Sequence, residues 1–287
     1  MKTIDYSTVV ETVKELCIES CYILPDDVYM AIWNAIKTET NDTAKDILYK
    51  LLENADIAKN EKIPLCQDTG LAIVFVEQGS KCLFAPPSND PDATVFDAIN
   101  EGVKQGYDQG LLRKSVVAEP MNKRLNTKTN TPAVIHYSIT RGDQLKISVM
   151  CKGGGCENKS AFRMFNPTAS SDDVCKWIIQ AVKDAGANAC PPFVVGVGIG
   201  GDFEQCCLNS KKALLRNLGD SNGDPFYAAL ETRLLTEINK CGFGPQGFGG
   251  DTSALGVKIE TAPCHIASLP VSVNIECHAH RHKHALL

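Results

Sequence analysis

The chain has 287 residues, 44% of them hydrophobic, and a formal net charge of −5 with the six histidines counted as neutral. This length and apolarity predict a globular fold with a sizeable core. The acidic balance, without a block of lysine and arginine, argues against nucleic acid as a partner. Charges near the N-terminus exclude a signal peptide, and no segment reaches the roughly 18 apolar residues of a membrane span. We therefore expect a cytoplasmic protein without a membrane partner.

Thirteen cysteines are the most unusual feature of the composition. They are not expected to form a disulfide framework, because the cytosol is reducing and their number is odd. No Cys-x-x-Cys pair occurs, so the spacing typical of zinc ribbons, thioredoxin-like motifs and ferredoxin clusters is missing. Any metal site must therefore be assembled from distant loops. Eight cysteines follow apolar patterns and are interpreted as small core residues, namely Cys17, Cys21, Cys82, Cys151, Cys175, Cys206, Cys207 and Cys241.

The first 60 residues are predicted to be mainly helical. One amphipathic pattern opens at Pro25, and a second runs from Asp42 to Lys59 with apolar residues at helical spacing. Cys66 then lies on a turn that leads into the apolar run 71–76, which has the length of a buried strand.

The rest of the chain alternates helical and strand-like patterns, which predicts an α/β fold of mixed α+β character. We expect mixed sheets, packed helices and a helical N-terminal layer, all within one domain over residues 1–287. Residues 133–140 and 144–150 flank a turn at Arg141-Gly142-Asp143 and are predicted to form a β-hairpin. Helices are predicted over 95–107, 172–185 and 225–240 and after Gly200-Gly201, and strands over 193–199, 254–259 and 269–275.

Three cysteines share a context that differs from that of the other ten. Cys66 precedes Gln-Asp-Thr-Gly, Cys190 precedes Pro-Pro, and Cys277 follows the apolar run 271–275. Each lies at a turn beside a predicted buried strand, where the backbone can aim a side chain into a pocket. Three thiolates could bind three irons of a 4Fe-4S cluster and leave the fourth iron open as a Lewis acid. On spacing alone, simple packing remains the alternative.

Several longer motifs, in the same order along the chain, resemble the α subunit of the two-subunit class I fumarate hydratases, which are iron-sulfur enzymes. The motifs are Lys62–Gly70, Leu112–Val117, Lys152–Ser160, Asn188–Pro192, Gly196–Gly201, Gly244–Gly247, His265–Pro270 and Cys277–His278. The resemblance implies a hydro-lyase of the tricarboxylic acid cycle that adds water to fumarate to form L-malate. It also implies an oxygen-sensitive 4Fe-4S cluster held by Cys66, Cys190 and Cys277.

The resemblance further assigns residues to a small dicarboxylate substrate. Gln67 and Asp68 are expected to line it, and His265 to hydrogen-bond it, with Asp68 and His265 as candidate catalytic residues. Arg113 carries a planar guanidinium fork that suits a carboxylate.

The glycine run 153–155 offers a different kind of anion contact. Because glycine has no Cβ, the backbone of Gly154 and Gly155 can approach an anion closely, and the family uses this stretch to hold substrate. A plain turn after the predicted hairpin is the alternative.

Three features depart from the family pattern. Cys156 stands where the family more often has serine, and Cys264 precedes His265; both are interpreted as packing positions, since a fourth thiolate would close the open iron. The alternating histidines in 278–284 are typical of metal binding, but part of this ending resembles the family, so the remaining histidines are interpreted as incidental.

The resemblance leaves part of the active site to a partner. In this family the residue usually credited as the base belongs to a β half, and no β-like extension follows the last motif in this sequence. We expect a fumarase-type β subunit in an (αβ)2 assembly and an inactive isolated α subunit. An L-tartrate dehydratase α subunit and a non-catalytic iron-sulfur sensor protein are the alternatives. The motifs at 158–160 and 265–268 and the Cys277-His278 ending favour fumarate.

Overall fold

The computed structural model describes residues 2–287, in which helices and strands alternate along the chain. The helices are Tyr6–Tyr22 (α1), Asp26–Thr38 (α2), Asp42–Glu61 (α3), Val95–Gln109 (α4), Gly154–Glu157 (α5), Ser171–Ala185 (α6), Phe203–Ala213 (α7) and Pro225–Asn239 (α8). The strands are Lys2–Asp5 (β1), Leu71–Gly79 (β2), Cys82–Ala85 (β3), Val134–Thr140 (β4), Leu145–Lys152 (β5), Ala161–Phe165 (β6), Phe193–Gly200 (β7), Ala254–Ala262 (β8), Leu269–Glu276 (β9) and His282–Leu286 (β10). Single 3-10 turns cover Ala187–Ala189 and Pro245–Gly247. The predicted α/β class is confirmed.

Two four-stranded sheets each combine parallel and antiparallel pairs, which confirms the predicted mixed sheets. The first has the order β10-β5-β2-β4, with β2 parallel to β4 and antiparallel to β5. The second has the order β6-β9-β7-β8, with β7 parallel to β8 and antiparallel to β9. A small parallel pair joins β1 to β3.

The predicted hairpin between β4 and β5 is wrong. Both strands form near the predicted positions, but β2 lies between them and pairs with each. The turn between them instead contacts the end of β2, where the Gly79 N–H donates to the Gln144 carbonyl at 2.8 Å. The middle of β2 is buried, and pairing on both edges satisfies its backbone groups. The local signal located the turn, whereas the pairing depended on a strand more than 50 residues upstream.

Two compact units divide the chain. Unit 1 contains the described residues up to 25, together with 55–153 and 281–287, and unit 2 contains 26–54 and 154–280. The assignment of residues 1–287 to a single domain stays a prediction.

The core of unit 1 lies where α1 and α4 pack together and α1 contacts β5 and β10. Val13 of α1, Val103 of α4, Val74 of β2 and Val149 of β5 are all buried there. Their burial follows the helical spacing in α1 and α4 and the apolar runs in the strands.

The core of unit 2 lies between its sheet and the helices α6 and α8, and α7 also packs against β7, β8 and β9. Helix α7 approaches β7 so closely that a Cβ at Gly196 would lie 2.1 Å from the Ser210 carbonyl oxygen. A Cβ at Gly198 would lie 2.1 Å from the Cys206 carbonyl oxygen. The glycines of the strand Phe193–Gly200 therefore permit helix-to-sheet packing.

Two helices begin with reciprocal caps, which explains why their starts were predictable. Thr94 and Asp97 cap α4, and Ser170 and Asp173 cap α6. Hydrogen bonds from the capping hydroxyls lower the pKa of both aspartates. Among residues 2–287, no helix combines the length and the apolarity that crossing a bilayer requires.

Candidate functional site

The loop that carries Cys66 joins α3 to β2 in unit 1. Cys66 is partly buried, and its Sγ donates to Gln67 Oε1 at 3.3 Å and accepts the Asp68 N–H at 3.5 Å. Gln67 is exposed and Asp68 is partly buried, whereas Thr69 and Gly70 are buried. The three predicted site residues therefore lie directly before a buried and fixed part of the loop.

Gly70 anchors this loop through a close backbone approach. Its φ is +67°, and a Cβ there would lie only 2.0 Å from the Lys152 carbonyl oxygen. The Tyr107 hydroxyl donates to the carbonyl oxygens of Thr69 at 2.9 Å and Gly70 at 3.1 Å. Burial raises the pKa of Tyr107 well above its usual value, so the hydroxyl stays protonated and remains a donor.

The segment that carries Arg113 is tied to the same loop. Thr69 Oγ1 donates to the Arg113 carbonyl oxygen at 3.0 Å. The buried Asn130 side chain accepts the Ser115 N–H at 2.6 Å and donates to the Gly70 carbonyl oxygen at 3.1 Å. Unit 1 therefore joins the backbones that carry Cys66, Gln67, Asp68 and Arg113, and the Arg113 side chain is exposed.

A buried cation that sequence reasoning left without a role lies at the end of β5. Arg281 is 1% exposed and its Nε donates to the Cys151 carbonyl oxygen at 3.2 Å. A Cβ at Gly153 would lie 3.1 Å from both Arg281 Nη2 and Asp68 Oδ2. Because glycine has no Cβ, the backbone at this position can lie close to both the guanidinium and the carboxylate. The one sign of Arg281 in the sequence was its position in the segment 278–284, part of which resembles the family.

In unit 2 the sheet register brings the Cys190 and Cys277 loops to one end. Cys190 precedes β7 and Cys277 follows β9, and these strands are antiparallel with Val194 opposite Glu276. The His278 N–H donates to the Cys190 carbonyl oxygen at 3.3 Å. The structure therefore brings two of the three predicted cluster ligands to neighbouring loops.

Gln246 joins these loops, and sequence reasoning assigned it no role. Its Nε2 donates to the Pro191 carbonyl oxygen at 2.8 Å and lies 3.0 Å from His278 Nδ1. Gln246 also donates its backbone N–H to Pro191 at 2.8 Å. Its signal in the sequence was the family-like run Gly244–Gly247.

The two predicted anion-binding glycines of unit 2 lie in the one-turn helix α5. Gly154 and Gly155 are both exposed. A Cβ at Gly155 would meet only the Asn188 carbonyl oxygen, at 3.7 Å, which is ordinary contact. Packing within unit 2 therefore does not require glycine at position 155.

His265 lies on the exposed loop between β8 and β9 and makes its hydrogen bonds within that loop. The Ala267 N–H donates to His265 Nδ1 at 3.1 Å. The neutral imidazole therefore carries its proton on Nε2. The nearby Cys264 is exposed, and its Sγ donates to the Ser268 carbonyl oxygen at 3.4 Å.

Cys156 of α5 is buried beside the predicted ligand Cys277. Its Sγ donates to Glu276 Oε1 at 3.2 Å, and the Cys277 N–H donates to the same oxygen at 3.2 Å. One ligand atom from each of these three residues lies within 4.8 Å of the other two. Burial is consistent with the packing interpretation of Cys156, and the sequence gave no sign of Glu276.

The predicted packing cysteines differ in environment from the predicted ligands. Six of the eight are buried, and burial raises the pKa of Cys206 to about 11. Burial also raises the pKa of the partly buried Cys207 and Cys241, which disfavours the thiolate that binds metals. Cys66 and Cys277 are partly buried and Cys190 is exposed. This accessible donor chemistry fits an iron-sulfur group.

Comparison with known proteins places the chain in a family. Residues 10–286 match the family model described as fumarate hydratase (Fumerase). A relative named putative L(+)-tartrate dehydratase subunit alpha, from Methanocaldococcus jannaschii, is 38% identical over 94% of each chain. The L(+)-tartrate dehydratase subunit alpha of Escherichia coli K12 is 33% identical over 90% of this chain and 84% of its own length. The chain therefore belongs to the fumarate hydratase (Fumerase) family.

Proposed function

We propose that the chain is the cluster-binding α subunit of a hydro-lyase that interconverts fumarate and L-malate. Family membership supports the reaction class, and the relatives named as α subunits support a β partner. The observation that carries the proposal is the joining of the Cys190 and Cys277 loops by His278 and Gln246.

Cys66, Cys190 and Cys277 would hold the cluster. With one iron free of protein ligands, the bound 4Fe-4S group would supply a Lewis acid for oxygen atoms of the substrate. Sulfur donors suit iron-sulfur clusters, and all three thiols lie on loops at strand ends rather than inside the packed cores.

Two side chains of unit 1 would bind and orient the dicarboxylate. The exposed Arg113 guanidinium can donate two parallel hydrogen bonds to one carboxylate. While Cys66 keeps its proton, its thiol donates to Gln67 Oε1. A thiolate has no proton to donate, so metal binding by Cys66 would release the Gln67 amide to contact substrate.

Asp68 and His265 are the candidate proton-handling residues of this chain. His265 would present its Nε2–H as a donor to a carboxylate or hydroxyl oxygen, because Nδ1 accepts from Ala267. The Asp68 carboxylate and the Arg281 guanidinium both lie beside Gly153, within unit 1. We propose that the catalytic base comes from the β subunit, so that the isolated α subunit is inactive.

L-tartrate is the second candidate substrate, and the names of the relatives favour it. Dehydration of tartrate gives oxaloacetate and uses the same kinds of contact: two carboxylates, a hydroxyl that leaves and a proton that is removed. Arg113 and His265 would serve either substrate.

The test is to co-express the chain with a fumarase-type β subunit, purify the complex without oxygen and assay both reactions. We expect fumarate hydration with a higher kcat/KM than L-tartrate dehydration, and no activity from either subunit alone. Air should remove activity, and ferrous iron with thiol should restore it. If L-tartrate dehydration has the higher kcat/KM, tartrate and not fumarate is the substrate. A cluster-loaded complex that is inactive on both substrates would contradict the hydro-lyase proposal.

Replacing Arg113 with alanine should lower kcat/KM by about 10- to 100-fold, because a charged, bidentate contact is worth about 1.5–3 kcal/mol. Iron and sulfide content should not change, since the side chain is exposed. Arg141→Ala is the matched control, because this arginine is exposed on the turn between β4 and β5. An unchanged kcat/KM in Arg113→Ala, or an equal loss in the control, would remove Arg113 from the site.

A further inference from the structure

We propose that Cys156, Glu276 and Cys277 form a site for a single divalent ion of the zinc type in the chain that lacks its cluster. This site goes beyond the proposed function, because Cys156 and Glu276 are not among the proposed cluster ligands. Two elements of unit 2 supply it: α5 provides Cys156, and the end of β9 provides Glu276 with the next residue, Cys277.

The spacing of the donors suits one ion. One ligand atom from each residue lies within 4.8 Å of the other two, and Cys156 Sγ is 3.2 Å from Glu276 Oε1. A tetrahedral zinc ion with bonds of about 2.0–2.3 Å needs ligand atoms about 3.5–3.8 Å apart. Small side-chain rotations would therefore place all three atoms around a common centre.

The surroundings hold these donors in place before any ion binds. Glu276 is fully buried, and its Oε1 accepts both the Cys156 thiol and the Cys277 N–H. Cys156 is also buried, at 3% exposure. If an ion replaced the Cys156 thiol proton, the Glu276 carboxylate could stay in the same position and keep its hydrogen bond from the Cys277 N–H. Pre-organisation of this kind favours binding.

The donor chemistry selects the class of metal. Two thiolates and one carboxylate favour zinc-type ions over magnesium or calcium, because soft sulfur ligands discriminate against those hard cations. With both thiols ionised, the three groups carry three negative charges, two of which a divalent cation would offset. Each binding event would release the two thiol protons to solvent, and the three protein ligands would leave one coordination position to water.

Ion and cluster share a single ligand, Cys277, and this relation rests on the proposed function. Cys156 and Glu276 would bind only the ion, and Cys66 and Cys190 would bind only the cluster. Serine variants at Cys156 and Cys190 therefore separate the two sites, and Cys277→Ser should lose both.

The test is a titration of the full-length, cluster-free chain with Co²⁺ under anaerobic conditions, followed by displacement with Zn²⁺. The wild-type chain should bind one equivalent with thiolate-to-cobalt charge-transfer absorption, and Cys190→Ser and the exposed-thiol control Cys264→Ser should do the same. Cys156→Ser should bind at least about 100-fold more weakly, since even a lost second-shell partner costs 10- to 100-fold. Glu276→Gln should also weaken binding.

Reconstitution with iron and sulfide provides the second measurement. Cys156→Ser should still take up a cluster, which shows that the variant is folded. Unchanged cobalt affinity in Cys156→Ser, or the absence of a thiolate band in the wild type, would overturn the ion site and leave the cluster proposal intact. Loss of cobalt binding in Cys190→Ser would also overturn it, because the ion would then occupy the cluster thiols. If the Cys190→Ser chain binds cobalt and also retains a full cluster, the assignment of Cys190 as a cluster ligand is wrong.

Discussion

Replacing Cys66, Cys190 or Cys277 with serine should abolish the stable 4Fe-4S cluster, and with it all hydro-lyase activity of the assembled enzyme. A serine hydroxyl is a hard ligand that suits these irons poorly, and two remaining thiolates hold the group too weakly to survive purification. Cys190 gives the cleanest variant, because its side chain is exposed and its removal leaves no cavity in the core. Iron and acid-labile sulfide, measured after anaerobic purification, report the loss directly.

Two matched variants show whether any such loss is specific. Cys264→Ser changes another exposed thiol, and Cys241→Ser changes a partly buried thiol whose pKa burial raises. Both should keep full iron and sulfide. Retention of the cluster in any of the three ligand variants would remove that residue from the ligand set, and loss of the cluster in Cys264→Ser would add one to it.

Gly70→Ala should destabilise the protein by at least about 4 kcal/mol, a large part of the 5–15 kcal/mol by which folded domains are usually stable. The new Cβ would lie 2.0 Å from the Lys152 carbonyl oxygen, so the end of β5 would have to move. The φ of +67° adds a penalty of about 1–2 kcal/mol for any residue with a Cβ. Urea denaturation of the cluster-free chain should show a large drop in the transition midpoint, or no folded protein at all.

Gly142→Ala separates the cost of the positive φ from the cost of the clash between the new Cβ and its neighbours. Gly142 has a φ of +111°, but a Cβ there would meet nothing within 4 Å. Its cost should stay at about 1–2 kcal/mol, because only the backbone conformation is strained. Equal destabilisation by both substitutions would show that the close approach to Lys152 contributes nothing.

The helices and most strands could be predicted because their signals are local. Asp42–Glu61, Val95–Gln109 and Ser171–Ala185 follow apolar stripes, and reciprocal caps begin the latter two. The strands that were not predicted are short, and pairing with distant segments stabilises them. β10 is one of these, and it pairs with β5, more than 130 residues upstream.

The candidate site was predicted only in part, for a similar reason. Cys66, Cys190 and Cys277 stand out by their flanking residues and by resemblance to the family, and each lies on a loop at a strand end. Gln246 lies in a motif that resembles the family but was assigned no role, and Glu276 gave no signal at all. Their contacts depend on which loops become neighbours, and strand order and register decide that.

The sequence by itself determined the α/β class, the family and the candidate cysteines, because periodicity, capping and ordered motifs are properties of neighbouring residues. Tertiary structure alone decided that β2 separates β4 from β5, since β2 can satisfy its backbone hydrogen bonds only by pairing on both edges. It also decided that Cys156 lies against Glu276 and Cys277, 120 residues further along the chain. Contacts over such distances form only when a whole sheet folds, because its register fixes which side chains meet.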